Sequence, residues 1–214
     1  SGLNSSGGGD GQDDAPGSGG AITINSSGDV DIGAISSFGS DSSSSSSARG
    51  HGGNVWISTH SGNVNISNSI SSRGGSEVVG GPGNGGNAGF IFLEGINITI
   101  SSTLLNATGG NVDENVGVGG NITHMYCDTL SNASAIYDVR SGLDSAKAIA
   151  GINGTVKGIT GMIWCGDAPN VPSITNPVDA KNYTAVTVIE YNSTDMNGDA
   201  INFSIYINGT LNIT

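Results

Sequence analysis

Basic residues are nearly missing from this chain. Lysine and arginine together number six against eighteen aspartates and glutamates, giving a net charge of −12. So few cations cannot form a patch that neutralises phosphates, which argues against a nucleic-acid partner. The same deficit disfavours docking on anionic lipid. No run of 18 apolar residues occurs, so no membrane span is expected. Hydrophobic residues make up only 35% and aromatics 5% of the 214 residues, too little apolar area for a conventional thick-cored globule. Cysteine is limited to Cys127 and Cys165, with no histidine or further cysteine at ligand spacing, which argues against a zinc site. The first residue is Ser1 rather than methionine, and we read the chain as processed, with any signal peptide removed.

What the chain has in quantity is glycine, 37 residues, and a repeat. Gly-Gly pairs begin at 19, 52, 85 and 119, in steps of 33, 33 and 34. A constant period of this size points to stacked units rather than one closed core. Within each unit the apolar residues alternate in short bursts: Ile22, Ile24, Val30, Ile32 and Ile35 in the first, then Val55, Ile57, Val64, Ile66 and Ile70. The third gives Phe90, Phe92, Ile96, Ile98, Ile100 and Leu104. Period-two alternation bounded by Gly, Asn and Ser is the pattern of short strands with one buried face.

Three such strands per unit predict an all-β chain: a parallel β-helix whose coils pair strand over strand at about 4.8 Å. An antiparallel barrel or sandwich shares the alternation but does not explain the step. The Gly- and Ser-rich segments 39–51, 74–85 and 109–119 leave the coil at one corner and should pile into a flap, with Val78, Val79, Val116 and Val118 as its small apolar core. The asparagines after the glycine pairs, Asn54, Asn87 and Asn121, are expected to form an amide ladder, a polar binding site being the alternative. Trp56, between inward Val55 and Ile57, should face out, beneath a loop or against another subunit.

Asn-X-Ser/Thr acceptors occur at Asn4, Asn25, Asn65, Asn97, Asn106, Asn121, Asn132, Asn153, Asn182, Asn192, Asn202, Asn208 and Asn212. Asn65 and Asn97 each stand between apolar neighbours that point inward, so both are expected outside. We read them as an N-glycosylated, extracellular surface; the plainer reading is a polar coat on exposed strands. In a secreted chain the cysteine pair reads as a disulfide, Cys127–Cys165, closing a 38-residue loop worth about 3–4 kcal/mol.

Residues 1–18 are Gly-, Ser- and Asp-rich and are expected to be a flexible lead-in unless a partner holds them. Asp10, Asp13 and Asp14 match no complete calcium loop and read as solvated charge. The β-helix is assigned to 19–168, in about four to five coils. Its repeat decays after 119, where Ile122, Met125, Tyr126 and Leu130 continue a strand, 144–150 is a weak helix candidate, and 155–159 and 162–165 should close the stack. Beyond the two prolines at 169 and 172 the strands lengthen: Val186, Val188, Ile201, Phe203, Ile205 and Ile207 alternate around a hairpin turn at 195–199. In that turn Asp195, Asn197 and Asp199 are candidates for a calcium ion; an ordinary turn is the competing reading. No other cofactor is expected.

The units GGNVWISTHSGNVNIS and GGNAGFIFLEGINITIS resemble the Gly/Asn-rich right-handed β-helix repeats of bacterial adhesins and archaeal cell-surface glycoproteins. Residues 169–214 resemble the front half of immunoglobulin-like or fibronectin type III-like repeats of microbial surface proteins, about half of such a sandwich. The resemblance implies architecture and a cell-surface location, and specifies no ligand.

β-Helices also host polysaccharide-cleaving enzymes, which need clustered carboxylates on one outer face. Asp29 and Asp31 share such a face, but the next unit offers Asn63 and Asn65 and the third Asn97 and Thr99. His51, His60 and His124 fall at different places in the repeat, with no nucleophile elbow beside them. The expectation is a non-enzyme: a subunit of an extracellular filament, sheath or surface layer whose partners are copies of itself, joined by strand addition through the unfinished C-terminal sheet. An adhesin stalk or tip that binds glycans or another cell is the alternative.

Overall fold

The structure is a computed structural model. It describes residues 2–8, 16–42, 49–77, 83–101, 103–144 and 151–160, and the strands at 173–176, 190–192, 205–207 and 210–213. The chain divides into two compact units, Ser1–Met162 and Ile163–Thr214.

The first unit is a parallel β-solenoid of about four turns. A short strand β1 (Leu3–Asn4) precedes coil one, made of β2 (Ile22–Ser26), β3 (Val30–Ile32) and β4 (Ile35–Ser36). Coil two is β5 (Val55–Thr59), β6 (Val64–Ile66) and β7 (Ile70–Ser71). In coil three the first two strands merge into β8 (Ile91–Ile100), followed by β9 (Leu104–Asn106). Coil four is β10 (Ile122–Ser131) and β11 (Ile136–Asp138), and β12 (Val156–Thr160) starts a fifth. Every strand pair in this unit is parallel. They form two sheets, one in the order β12-β10-β8-β5-β2 with β3 and β6 beside it, the other in the order β1-β4-β7-β9-β11. None of the described residues is helical.

Alternation makes the core a thin column. Ile22, Val55, Ile91, Ile122 and Val156 stand in one row; Ile24, Ile57, Leu93 and His124 form the next. Val30, Val64 and Ile98 make a third row, and Ile35, Ile70 and Leu105 a fourth on the other sheet. In coils two and three these residues are completely or almost completely buried. Such rows close without large aromatics because the backbone bonds run from coil to coil.

Two sequence expectations are corrected here. Leu93, not Phe92, stacks on Ile24 and Ile57. The step from Val55 to its partner Ile91 is 36 residues and from Ile91 to Ile122 is 31, so the spacing is uneven where the glycine pairs suggested uniformity. Gly86 lies against Gly50 in the flap, and Gly89 takes the place of Gly53 at the strand entry. A three-residue slip is odd, and an odd slip exchanges the two faces of a strand. Phe90 and Phe92 therefore point outward and Ile91 and Leu93 inward.

The second correction concerns the lead-in. Leu3, Ser5 and Gly7 donate their backbone N–H groups to Ala34, Ser36 and Phe38, so residues 2–8 extend the second sheet. An exposed sheet edge offers main-chain partners to a segment with almost no apolar side chains.

The flap explains the glycine content. Its neck is a continuous backbone chain: Ser40 N–H donates to Gly17 O, Gly50 to Ser40, Gly75 to Gly50, Gly86 to Gly75, Gly110 to Gly86, Gly117 to Gly110 and Gly142 to Gly117. Two columns of backbone pass so closely that a Cβ on Gly75 would lie 1.9 Å from Ser40 O, and one on Gly110 1.8 Å from Gly75 O. Of the valines expected to form a flap core, Val116 is half-buried. Val118 is 38% exposed, whereas Arg49 is buried in an ion pair with Glu77 at 3.2 Å. Val78 and Val79 lie outside the described residues.

In the second unit, β13 (Ser173–Asn176) pairs antiparallel with β14 (Glu190–Asn192), and β15 (Ile205–Ile207) with β16 (Thr210–Ile213). The turn at 195–199, the helix candidate beyond Asp144 and the strand expected at 162–165 lie outside the described residues.

Candidate functional site

The outer face of the first sheet carries a grid of side chains set by strand register. Coil one presents Ala21, Thr23 and Asn25; coil two Asn54, Trp56, Ser58 and His60; coil three Phe90, Phe92 and Glu94. Trp56 stands at the centre and is 38% exposed. The Phe92 ring lies against it at 4.0 Å between centroids and 24° between planes; Phe90 meets it edge-on at 6.3 Å and 79°. Cover for the indole therefore comes from the next coil's aromatic side chain. On the coil-one side its register neighbour is Thr23, too small to cover the ring.

Beside the indole sits Glu94, 7% exposed. It accepts a 2.6 Å hydrogen bond from Ser58 Oγ, and its other oxygen is 3.7 Å from His60 Nε2. Ala21, Thr23, Asn25, Asn54, Trp56, Ser58, His60, Phe90 and Glu94 line an open groove of about 670 Å³. The size falls within the range of small-molecule sites. Sequence reasoning placed Trp56 outside but missed the groove, because it assigned Phe90 and Phe92 to the core.

The asparagines do not form the expected ladder. Asn54 aligns with Phe90 and Asn121, while Asn87 aligns with His51 and Val118. Each amide oxygen instead accepts a backbone N–H from the following coil: Asn54 from Phe90 at 3.1 Å, Asn87 from Val118 and Asn121 from Thr155, both at 2.9 Å. A polar ladder runs elsewhere. Asn63 Nδ2 donates to Asp29, Asn97 Nδ2 to Asn63 Oδ1 and Thr129 Oγ1 to Asn97 Oδ1, at 3.0, 2.8 and 2.7 Å. Asp29 and Asp31, the carboxylates considered for catalysis, accept from Asn63 and Asn65 of the coil above.

Of the glycosylation acceptors, Asn4, Asn25, Asn121 and Asn153 are exposed or partly so, and Asn65, Asn97, Asn106 and Asn132 are half-buried or at the surface. Asn65 and Asn97 do lie on the outer face. Their amide nitrogens, the atoms a glycan would take, donate to Asp31 and Asn63, and that of Asn132 donates to the Tyr137 hydroxyl at 2.9 Å. The side chains of Asn182, Asn192, Asn202, Asn208 and Asn212 lie outside the described residues, as do Asp10, Asp13, Asp14 and the calcium candidates Asp195, Asn197 and Asp199. Cys127 is disulfide-bonded; Cys165 lies outside the described residues.

The histidines separate. His51 Nδ1 accepts from Asn87 N–H at 2.9 Å, His60 lies on the groove rim, and His124 is in the core at 1% exposure. Burial pulls the His124 pKa down to about 4, with a hydrogen bond to the Lys157 backbone working the other way. A second cleft of about 480 Å³, at the flap, is lined by Arg73, Asp138, Arg140 and Asn153 among others. Arg73 and Arg140 are paired with Asp41 and Asp138 at 2.8 and 2.7 Å. Their charge is already balanced, so the cleft carries no net demand for an anion. Among the described residues no three His, Cys, Asp or Glu side chains converge into a metal site.

These features define a class: a parallel β-solenoid with a stacked-aromatic groove on its flank. No known protein family matches the chain, and no curated protein or solved structure is significantly similar to it.

Proposed function

We propose that this chain is a structural module of an extracellular, N-glycosylated filament, sheath or surface layer that grows by parallel strand addition, coil upon coil, between copies of itself. The observation behind this reading is that the last strands of the solenoid have no strand partner on their outer side among the described residues. Among the described residues β2 and β12 are the end strands of the first sheet, and β1 and β11 those of the second. Both ends leave apolar side chains in the open: Leu3 is 47% exposed at one, and Ile136 63%, Ile152 72% and Val156 44% at the other.

Ile22 and Val156 terminate the same inward row, so setting Val156 of one copy against Ile22 of the next would continue it with no change of register. Head-to-tail contacts of this kind do not close and produce filaments. We place the joint at these ends rather than in the C-terminal strands. Outward acceptors such as Asn25 and Asn121, the scarcity of basic residues and the disulfide-bonded Cys127 support the extracellular location.

Electron microscopy tests the reading. The purified chain should form fibres with a fixed axial repeat, and Val156→Lys combined with Ile136→Lys should leave single rods. Dispersed rods at all concentrations, or fibres unaffected by the two lysines, would refute end-to-end growth. The flank groove favours a second, compatible reading as an adhesive surface.

A further inference from the structure

We propose that the groove at Trp56 is a saccharide subsite that takes one pyranose ring against the open face of the indole. The proposal deepens the adhesive reading and does not depend on end-to-end assembly. The aromatic column runs from Phe92 to Trp56 and then stops, because the next register position holds Thr23. One flat place in the stack is therefore free, with Trp56 as its floor and with Ala21 and Asn25 flanking Thr23 along the same strand.

A pyranose fits this place chemically. Its C–H face is apolar and sits on a π-surface, while its rim of hydroxyls needs donors and acceptors in the ring plane. The groove supplies both. Glu94 is held in place by Ser58 and keeps acceptor capacity beyond that one bond. His60 and Asn25, both at the groove surface, offer groups that donate or accept. The arrangement suits a neutral sugar better than an alkylammonium ion. A cation cage needs aromatic faces on several sides, whereas Phe92 already covers one face of Trp56 and His60 stands beside Glu94, the one carboxylate among the described groove residues.

The same sugar chemistry has two sources: a free or foreign polysaccharide, and a glycan carried by this chain's own Asn25 at the groove edge. Calorimetric titration of the full-length chain, made without glycosylation, separates them. The probes are cellotetraose, mannotetraose and chitotetraose, with tetramethylammonium as the cationic control. At least one oligosaccharide should bind saturably. Trp56→Ala should weaken it by about tenfold or more. Thr23→Trp, which fills the free place in the stack, should abolish binding while the melting temperature is retained.

A glycosylated chain that binds free sugar only after Asn25→Gln identifies its own glycan as the natural occupant of the same subsite. No binding of any of the three sugars at roughly 10 mM, equal binding by the Thr23→Trp chain, or binding of tetramethylammonium alone would overturn the proposal.

Discussion

Glycine acts in this protein mainly by leaving space. At the flap neck successive backbones touch, and the carbonyl of one coil lies where a side chain of the next would begin. Alanine at Gly75 must push Ser40 aside and break the bonds on both sides of it. We expect Gly75→Ala to cost about 3–5 kcal/mol in chemical unfolding, in the range of mutations that force a buried backbone to move. Gly28 is the control. It sits at a turn with open space around it, and alanine there should change stability by under about 1 kcal/mol. Equal losses at both positions would mean that chain entropy, not contact, sets the requirement. The asparagines show a related economy: Asn54, Asn87 and Asn121 each satisfy a backbone N–H of the following coil with a side-chain oxygen.

Strands set which face each side chain takes, and β10 places an imidazole in the core column. His124 follows Ile24, Ile57 and Leu93 in its row and meets the edge of Tyr137 at 5.3 Å, with Nε2 lacking a hydrogen-bond partner among the described residues. Its pKa is about 4 when folded against 6.5 for the free side chain, so the unfolded chain takes up the proton first. Stability should therefore be full above pH 6.5 and fall as the pH drops toward 4, by at most about 3 kcal/mol from this residue. His124→Leu, matching Leu93 one coil away, should remove that part of the slope in unfolding titrations at pH 4 to 7. An unchanged slope would assign it to carboxylates instead.

At the scale of the whole solenoid each coil touches only its neighbours, so stability is local and depends on position. Coils two and three have partners on both sides and the most deeply buried rows; β2 and β12 have an open side among the described residues. Amide hydrogen exchange of the unassembled chain should show the strongest protection in β5, β6 and β8 and the weakest in β12, a difference of at least about tenfold in rate. Uniform protection from β2 to β12 would mean that the stack opens as one cooperative unit. In fibres the gradient should flatten, because the ends acquire partners.

By itself the sequence determined the architecture: period-two alternation in Val55, Ile57, Val64 and Ile66 can bury one face only, and its recurrence about every 33 residues requires stacking. Only the tertiary structure decided the register of coil three. Glycine pairs serve both the flap neck and the strand entry, so Gly85-Gly86 marked a corner without revealing which one, and an odd three-residue difference reverses a strand. That reversal sends Phe90 and Phe92 outside to meet Trp56. The groove exists because side chains of three coils, each 33 or more residues from its counterpart in the chain, are set beside one another by parallel pairing, a contact that no local pattern encodes.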